Sequence, residues 1–226
     1  MTSCILCRAL DAEAFLTVAD PDRERRYYRC ATCALRFLDP AQHPDRATER
    51  AHYDFHENDP RDAGYRRFLS RLADPLVAKL APGARGLDYG CGPGPALAHM
   101  LSDAGFRMSV FDPIYANDTA ALAPTTAYDF VTCTETAEHF HNPAREFNRL
   151  ERLIRPGGTL AIMTCFQTDD ARFANWHYRK DPTHVAFYRE ETFAWLAQAR
   201  AWELNVPHKD VAIFSVPPTA KLAVSP

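Results

Sequence analysis

The sequence predicts an α/β fold: a mostly parallel sheet with helices on both faces, carrying a small metal-stapled segment at its N-terminus. Three observations predict it. The first is Leu87–Gly94, LDYGCGPG, an apolar run that ends in an acid and continues with glycines at every second position into helix-like sequence. Glycine permits the tight turn and lets a ligand approach the backbone, and the next helix offers free N–H groups. The second is the alternation of strand-like and helix-like segments across the remainder of the chain. The third is a pair of C-x2-C knuckles, Cys4/Cys7 and Cys30/Cys33, which together can supply four thiolates to a tetrahedral zinc ion.

The elements follow in order. Residues 1–40 read as a zinc ribbon, with short strands at Tyr27–Cys30 and Leu35–Leu38 flanking the second knuckle; so small a segment needs metal to hold it. Asp39 to Asp45 is a linker by composition. Residues 47–81 read as helical, with Tyr65, Phe68, Leu69 and Leu72 at helical spacing. Pro75 is expected to start a second helix capped by Asp74. His52, Tyr53 and His56 read either as a lid or as a linker. A strand at about 84–89 precedes a helix at 95–104, closed by Gly105. Strand Arg107–Phe111 ends at Asp112, and strand Phe130–Thr134 follows. Asn142-Pro143 caps a helix whose Phe147, Leu150 and Ile154 face the sheet. Pro156-Gly157-Gly158 turns into strand Thr159–Thr164. A helix at 189–200 precedes an antiparallel pair, Trp202–Val206 and Val211–Val216. The domain proper spans 47–216, and 217–226 is a loose tail. The stretch from Asp112 to Asp129 is about half of what a helix, a strand and two loops need, so a third strand or its helix must be abbreviated.

Composition narrows the function classes. The chain has 226 residues, 46% hydrophobic, with net charge −3, so no global basic field attracts nucleic acid. The cluster Arg23, Arg25, Arg26, Arg29 is read as a solvated face rather than an RNA contact. No apolar run reaches ~18 residues, and the N-terminus lacks a signal-peptide pattern, so a cytoplasmic protein with no membrane span is expected. Its thiols then stay reduced, which favours zinc over disulfides. Cys91, Cys133 and Cys165 are expected to be small buried hydrophobes. Oligomeric state is not encoded in any motif.

Four stretches together, LDYGCGPG (87–94), VFDP (110–113), YDFVTCTETAEHF (128–140) and LIRPGGTLAIMT (153–164), resemble the class I S-adenosylmethionine-dependent methyltransferases. A nicotinamide-binding dehydrogenase is the nearest rival, but its third glycine falls elsewhere and no acid precedes its loop. The resemblance implies a Rossmann-like core that binds S-adenosylmethionine through Asp88, Gly90, Cys91, Gly92, Gly94 and Asp112. Asp112 would accept hydrogen bonds from the ribose hydroxyls, and Asp88 would meet the amino group of the cofactor. The family's usual polar contact to adenine comes from the abbreviated region; Asn117 and Asp118 are weak substitutes and carry no assignment.

Glu135-x-x-Glu138-His139 follows the fourth strand. In a helical turn these three side chains share a face, where two carboxylates and an imidazole would repel unless a cation or hydrogen bonds occupy them. The pattern is similar to that of ubiquinone-pathway O-methyltransferases and small-RNA 2′-O-methyltransferases, in which a divalent cation grips the acceptor oxygens. Carried over, Glu135, Glu138, His139 and His184 are the catalytic residues and ligands of a second divalent cation. Many related enzymes hold a Glu-His pair here without metal, with His as base. The aromatic stretch Phe166–Tyr188, with Phe173, Trp176, His177, Tyr178, Arg179 and Phe187, reads as wall and lid of the acceptor site. The expected activity is O-methylation of a hydroxylated acceptor, either a small molecule or a nucleic acid. Zinc-bearing enzymes acting on RNA or a sugar, and a non-catalytic cofactor-binding module, are the alternatives.

Overall fold

A strand from the far half of the sequence completes the N-terminal sheet, tying the cysteine-bearing segment to the core. The computed structural model describes residues 2–19, 23–54, 59–123 and 128–218. Strand β1 (Ala12–Ala19) pairs antiparallel with β2 (Glu24–Cys30), and β2 with β3 (Arg36–Leu38). Helices α1 (Arg46–Tyr53) and α2 (Ala63–Val77) follow, then β4 (Arg85–Tyr89), α3 (Ala96–Asp103) and β5 (Arg107–Phe111). Next come β6 (Tyr128–Thr134), α4 (Pro143–Leu153) and β7 (Ile154–Met163). After the short helices α5 (Asp170–Phe173) and α6 (His177–Lys180), β8 (Ala186–Phe187) pairs with β3. The chain ends with α7 (Glu190–Arg200), β9 (Glu203–His208) and β10 (Val211–Ser215).

The larger sheet has the order β5-β4-β6-β7-β10-β9. β4 lies parallel between β5 and β6, and β7 parallel to β6, whereas β10 is antiparallel to both its neighbours. Side chains alternate across the strands and bury two faces. Leu69, Leu72 and Leu76 of α2 and Leu97 and Leu101 of α3 cover Phe130, Ala161 and Ile213 on one face. Phe147 and Leu150 of α4 and Phe193 and Leu196 of α7 cover Leu87, Val131, Leu160 and Phe214 on the other. This is the α/β, Rossmann-like arrangement expected.

Several local expectations are corrected. Pro75 lies inside α2, whose N-cap is Asp62, accepting from the Tyr65 N–H at 2.6 Å. Pro75 removes the bond that its N–H would make to the Arg71 carbonyl, and the helix ends soon after, at Val77. Ile154 is the first residue of β7 rather than the end of a helix, and Pro156–Gly158 belong to the same strand. The register between β6 and β7 slips between Tyr128 and Phe130, and this irregularity absorbs the Pro-Gly-Gly stretch. Strand β1 was not anticipated from the sequence. Of the three cysteines expected to be buried, Cys133 is, while Cys91 and Cys165 are half-buried. Between β5 and β6 the described residues hold a single-turn 3-10 helix, Thr119–Leu122, and no further strand, so β5 is the sheet edge.

The aromatic stretch is also reassigned. Phe173, Tyr178 and Phe187 pack with Tyr27 and Leu38 of the N-terminal sheet in a separate apolar cluster, with Trp176 against it. Phe173 and Phe187 form the seam between the two sheets, not the wall of the acceptor site, while the Tyr178 hydroxyl reaches Thr164 and Glu135. Arg25 of the basic cluster is buried, and Arg29 pairs with Glu13 at 2.7 Å, so that cluster is not one solvated face.

Candidate active site

At the carboxyl ends of β4, β5 and β6 the chain opens a cavity of about 780 Å³, lined among others by Asp88, Gly90–Gly94, Asp112, Glu135, Glu138, His139 and His184. Gly90 and Gly92 adopt φ of 79° and 64°. A Cβ on Gly90 would come within 2.2 Å of Thr136, so the loop can pass beneath the β6 turn only with glycine there. The Asp112 carboxylate accepts from Gly92 N at 3.1 Å, Ile114 N at 2.8 Å and Tyr115 N at 3.0 Å, which fixes it at the mouth of the loop. Asp88 is buried and accepts from the Thr132 hydroxyl at 2.8 Å; burial pushes its carboxyl up to about 6. Cys91 is half-buried beside it, its thiol raised to about 12 by burial and then by the two aspartates. Thr132, on the neighbouring strand, carries no motif signal.

The Glu135–His139 segment is not the helical turn that its spacing suggests. Glu135 has φ 47°, a left-handed conformation that costs a non-glycine residue about 1 kcal/mol, and a 3-10 turn spans only Ala137–His139. One ligand atom each of Glu138, His139 and His184 lies within 4.8 Å of the others, and Glu135 is not part of that group. Glu138 is fully buried, with Oε2 accepting from Thr164 Oγ1 at 2.9 Å. Its Oε1 is buried without a hydrogen bond and lies 4.0 Å from His139 Nε2. His139 Nδ1 faces the Thr183 carbonyl at 3.2 Å, and His184 Nδ1 the Tyr178 carbonyl at 2.7 Å. Both imidazoles thus have their second nitrogen positioned by backbone, as metal-ligating histidines do. Burial lowers His139 to about 4 and raises Glu138, so the imidazole is neutral at pH 7 and the carboxylate lacks a counter-charge. Glu135 is pushed up to about 9 by burial and then by Glu138; the Tyr178 hydroxyl lies 3.4 Å from it. An orphaned carboxylate oxygen facing two imidazoles fits a divalent cation.

Residues without a motif signal complete the site. Tyr178 and Thr164, whose hydroxyls lie 3.0 Å apart, hold the two carboxylates from below. Asp181 Oδ2 lies 3.1 Å from His52 Nε2 and 3.8 Å from His184 Nε2, joining α1 to the His184 loop. Its place three residues before His184 was the one available cue. α1 covers the cavity: Tyr53 meets the His139 ring at 5.1 Å, Glu49 bonds His141 at 2.8 Å, and Asp54 accepts from Tyr115 at 2.8 Å. His56 lies outside the described residues.

The four N-terminal cysteines converge, all Sγ atoms within 4.8 Å of one another. The knuckles are two copies of one turn. Cys4 N bonds Ala9 O and Arg8 N bonds Cys4 O; Cys30 N bonds Leu35 O and Ala34 N bonds Cys30 O. Arg8 and Ala34 occupy matching left-handed positions, φ 66° and 58°. Paired strained turns that aim four thiols at one point fit a tetrahedral zinc ion. From the second knuckle β3 runs directly to the site: Leu38 N bonds Val185 O at 2.9 Å, and Val185 N bonds Glu138 O at 2.9 Å.

Residues 55–205 match the family described as "Methyltransferase domain". A ubiquinone biosynthesis O-methyltransferase of Xanthomonas campestris pv. campestris is 28% identical over 121 residues, covering 43% of this chain and 50% of that protein. One from Aeromonas salmonicida is 34% identical over 89 residues, 39% of this chain and 36% of that protein. The match thus spans half or less of each of these relatives. Among solved structures, a methyltransferase of Bacillus halodurans aligns with TM-score 0.48 at 22% identity, covering 59% of this chain and 67% of that one. An O-methyltransferase family protein from Burkholderia thailandensis aligns with TM-score 0.47 at 17% identity, covering 66% and 56%.

Proposed function

The chain belongs to the methyltransferase-domain family; we propose that it is an S-adenosylmethionine-dependent methyltransferase that methylates the oxygen of a hydroxylated acceptor, with a divalent cation held by Glu138, His139 and His184. The observation that carries this reading is the buried Glu138 Oε1, unpartnered and turned toward His139 and His184. The cofactor supplies a methyl group already activated on a sulfonium, so the protein's work is positioning and proton removal. Asp112 and the glycine loop hold the nucleoside and methionine portions. The cavity under α1 holds the acceptor beside the Glu138 turn and shields it from water. A bound cation would supply Lewis acidity that lowers the acceptor hydroxyl's pKa. The acceptor hydroxyl gives its proton to solvent, its oxygen forms the bond to the methyl carbon, and the carbon–sulfur bond breaks with the electron pair left on sulfur. The alternative donor set, with Glu135 as a fourth ligand, requires the kinked Glu135 backbone to rotate.

Residues 1–40 would act as a zinc-held ribbon on Cys4, Cys7, Cys30 and Cys33, carried by the 47–216 methyltransferase unit. No helix among the described residues is long and apolar enough to cross a membrane. The two relatives named for ubiquinone biosynthesis support a small hydroxylated molecule over RNA or sugar, as does the net charge of −3. The test is release of S-adenosylhomocysteine with a panel of catechols, phenols, RNA 3′ ends and thiols, before and after EDTA and on readdition of Mg²⁺ or Mn²⁺. Turnover of a hydroxylated acceptor that EDTA abolishes and metal restores is expected. Turnover untouched by EDTA replaces the cation with His139 or His184 as base.

A further inference from the structure

We propose that the adenine of the cofactor is recognised from α4, by the Glu146 carboxylate, rather than by the connection that follows Asp112. The proposal rests on the cofactor assignment and adds a specificity-determining residue to it.

A ribose held at Asp112 places its base just beyond, against the residues that flank Phe111. That end of the cavity is aromatic. The Phe111 ring lies 5.2 Å from Tyr89, and Tyr89 lies 6.3 Å from Phe140; all three line the cavity, as does Ile114. Flat apolar walls of this kind suit a purine ring. A purine with an exocyclic amine also needs an acceptor at its far edge. The connection after Asp112 offers little: the Ile114 and Tyr115 N–H groups are donors that already bond Asp112, and Asn117 and Asp118 do not line the cavity.

Glu146 stands at this end of the same cavity and is half-buried. Both of its hydrogen bonds fall on one oxygen. Tyr89 Oη donates to Oε2, and Arg149 Nη1 donates to Oε2 at 3.0 Å and to Tyr89 Oη at 2.9 Å. None of the described residues bonds Oε1. Tyr89, Arg149 and the helix therefore fix the carboxylate and leave one acceptor oxygen for a ligand. The Tyr89 phenol is well above its usual range, through burial first and the Glu146 charge second, so it remains a donor. Between β5 and β6 the described residues hold only a 3-10 turn, Thr119–Leu122, and no helix or strand. An acceptor carboxylate favours a 6-amino purine and disfavours a 6-oxo purine, whose carbonyl oxygen would face it.

Calorimetry on the full zinc-loaded chain with S-adenosylhomocysteine, its inosyl counterpart and its 6-dimethylamino counterpart tests this without an acceptor. The wild type should bind the adenosyl compound at least about tenfold more tightly than either analogue. Glu146→Gln, which keeps shape but can donate to a carbonyl, should reduce the adenosyl-to-inosyl ratio at least about threefold. Asp112→Asn should weaken all three ligands and leave the ratios unchanged. A wild-type ratio near one, or a ratio that Glu146→Gln leaves intact, overturns the proposal. Should Glu146→Gln fail to fold, Glu146→Asp, which keeps the charge but withdraws the oxygen, should reduce the adenosyl-to-inosyl ratio likewise, and a ratio that it leaves intact overturns the proposal. Binding of none of the three by folded wild type removes the cofactor assignment itself, and this proposal with it.

Discussion

The cysteine cluster and the Glu138–His139–His184 cluster are both four-membered in the sequence reading, yet the structure assembles them by different rules. Each half of the cysteine cluster is a local turn, repeated with the same hydrogen bonds and the same left-handed residue. Spacing alone specifies such a turn. The proposed cation cluster joins a turn after β6 to a loop that ends at β8, and the left-handed backbone at Glu135 beside it is not revealed by spacing. Local repetition is legible in sequence; convergence of distant loops is legible only as far as strand order brings them together.

The largest expected effect breaks the comparison at the point where the clusters touch. Because β3 pairs with β8 and Val185 bonds the Glu138 carbonyl, removing the ribbon metal should loosen both clusters. Metal-linked folding free energy in such segments is on the order of 10 kcal/mol. Hydrogen exchange after chelation, or in Cys30→Ser/Cys33→Ser, should show loss of protection in 24–38 and 185–187, with β4 to β7 retained. Unchanged protection at 185–187 would make the ribbon an independent appendage.

Within the catalytic cluster the two carboxylates should separate. Glu138→Gln should lower kcat by about 10²-fold or more with the fold intact. Glu135, pushed to about 9, is protonated at neutral pH, so Glu135→Gln should change kcat by less than about tenfold. Equal losses in steady-state assays of the two variants would restore the four-ligand reading. Asp112→Ala should weaken cofactor binding by about 1–3 kcal/mol by calorimetry, through loss of charge-assisted hydrogen bonds.

The smallest effect is on pH-dependent stability, where two buried groups oppose each other. Asp88 is raised to about 6, so its contribution is fully present below about pH 4 and is lost as pH rises through 6. His139 is lowered to about 4, so its contribution is present above about pH 6.5 and is lost as pH falls toward 4. Asp88→Asn should therefore raise thermal stability at pH 8 relative to wild type while weakening cofactor binding. A drop in Tm at pH 8 contradicts the desolvation account.

Much of the larger sheet was legible because its strands are short apolar runs bounded by Gly, Pro, Asn and Asp, and Arg107–Phe111 matches residue for residue. The Asn142 cap, accepting from Arg145 N at 3.2 Å, was equally local. Pro75 misled because its helix-starting preference was weighed without knowing that it sits in a last turn. The aromatics of 166–188 misled because ring-rich loops suit either a lid or a seam; Phe173, at 5.1 Å from Tyr27, settles as seam only once β8 pairs with β3. Thr132 and Thr164, which hold Asp88 and Glu138, read in sequence as ordinary strand threonines.

Whether Glu138, His139 and His184 form one cation site is most directly measured by titrating Mn²⁺ into the zinc-loaded chain and following it by electron paramagnetic resonance. One site per chain is expected, lost in Glu138→Gln and kept in Glu135→Gln. No binding at millimolar Mn²⁺, or a site that survives Glu138→Gln, contradicts the assignment.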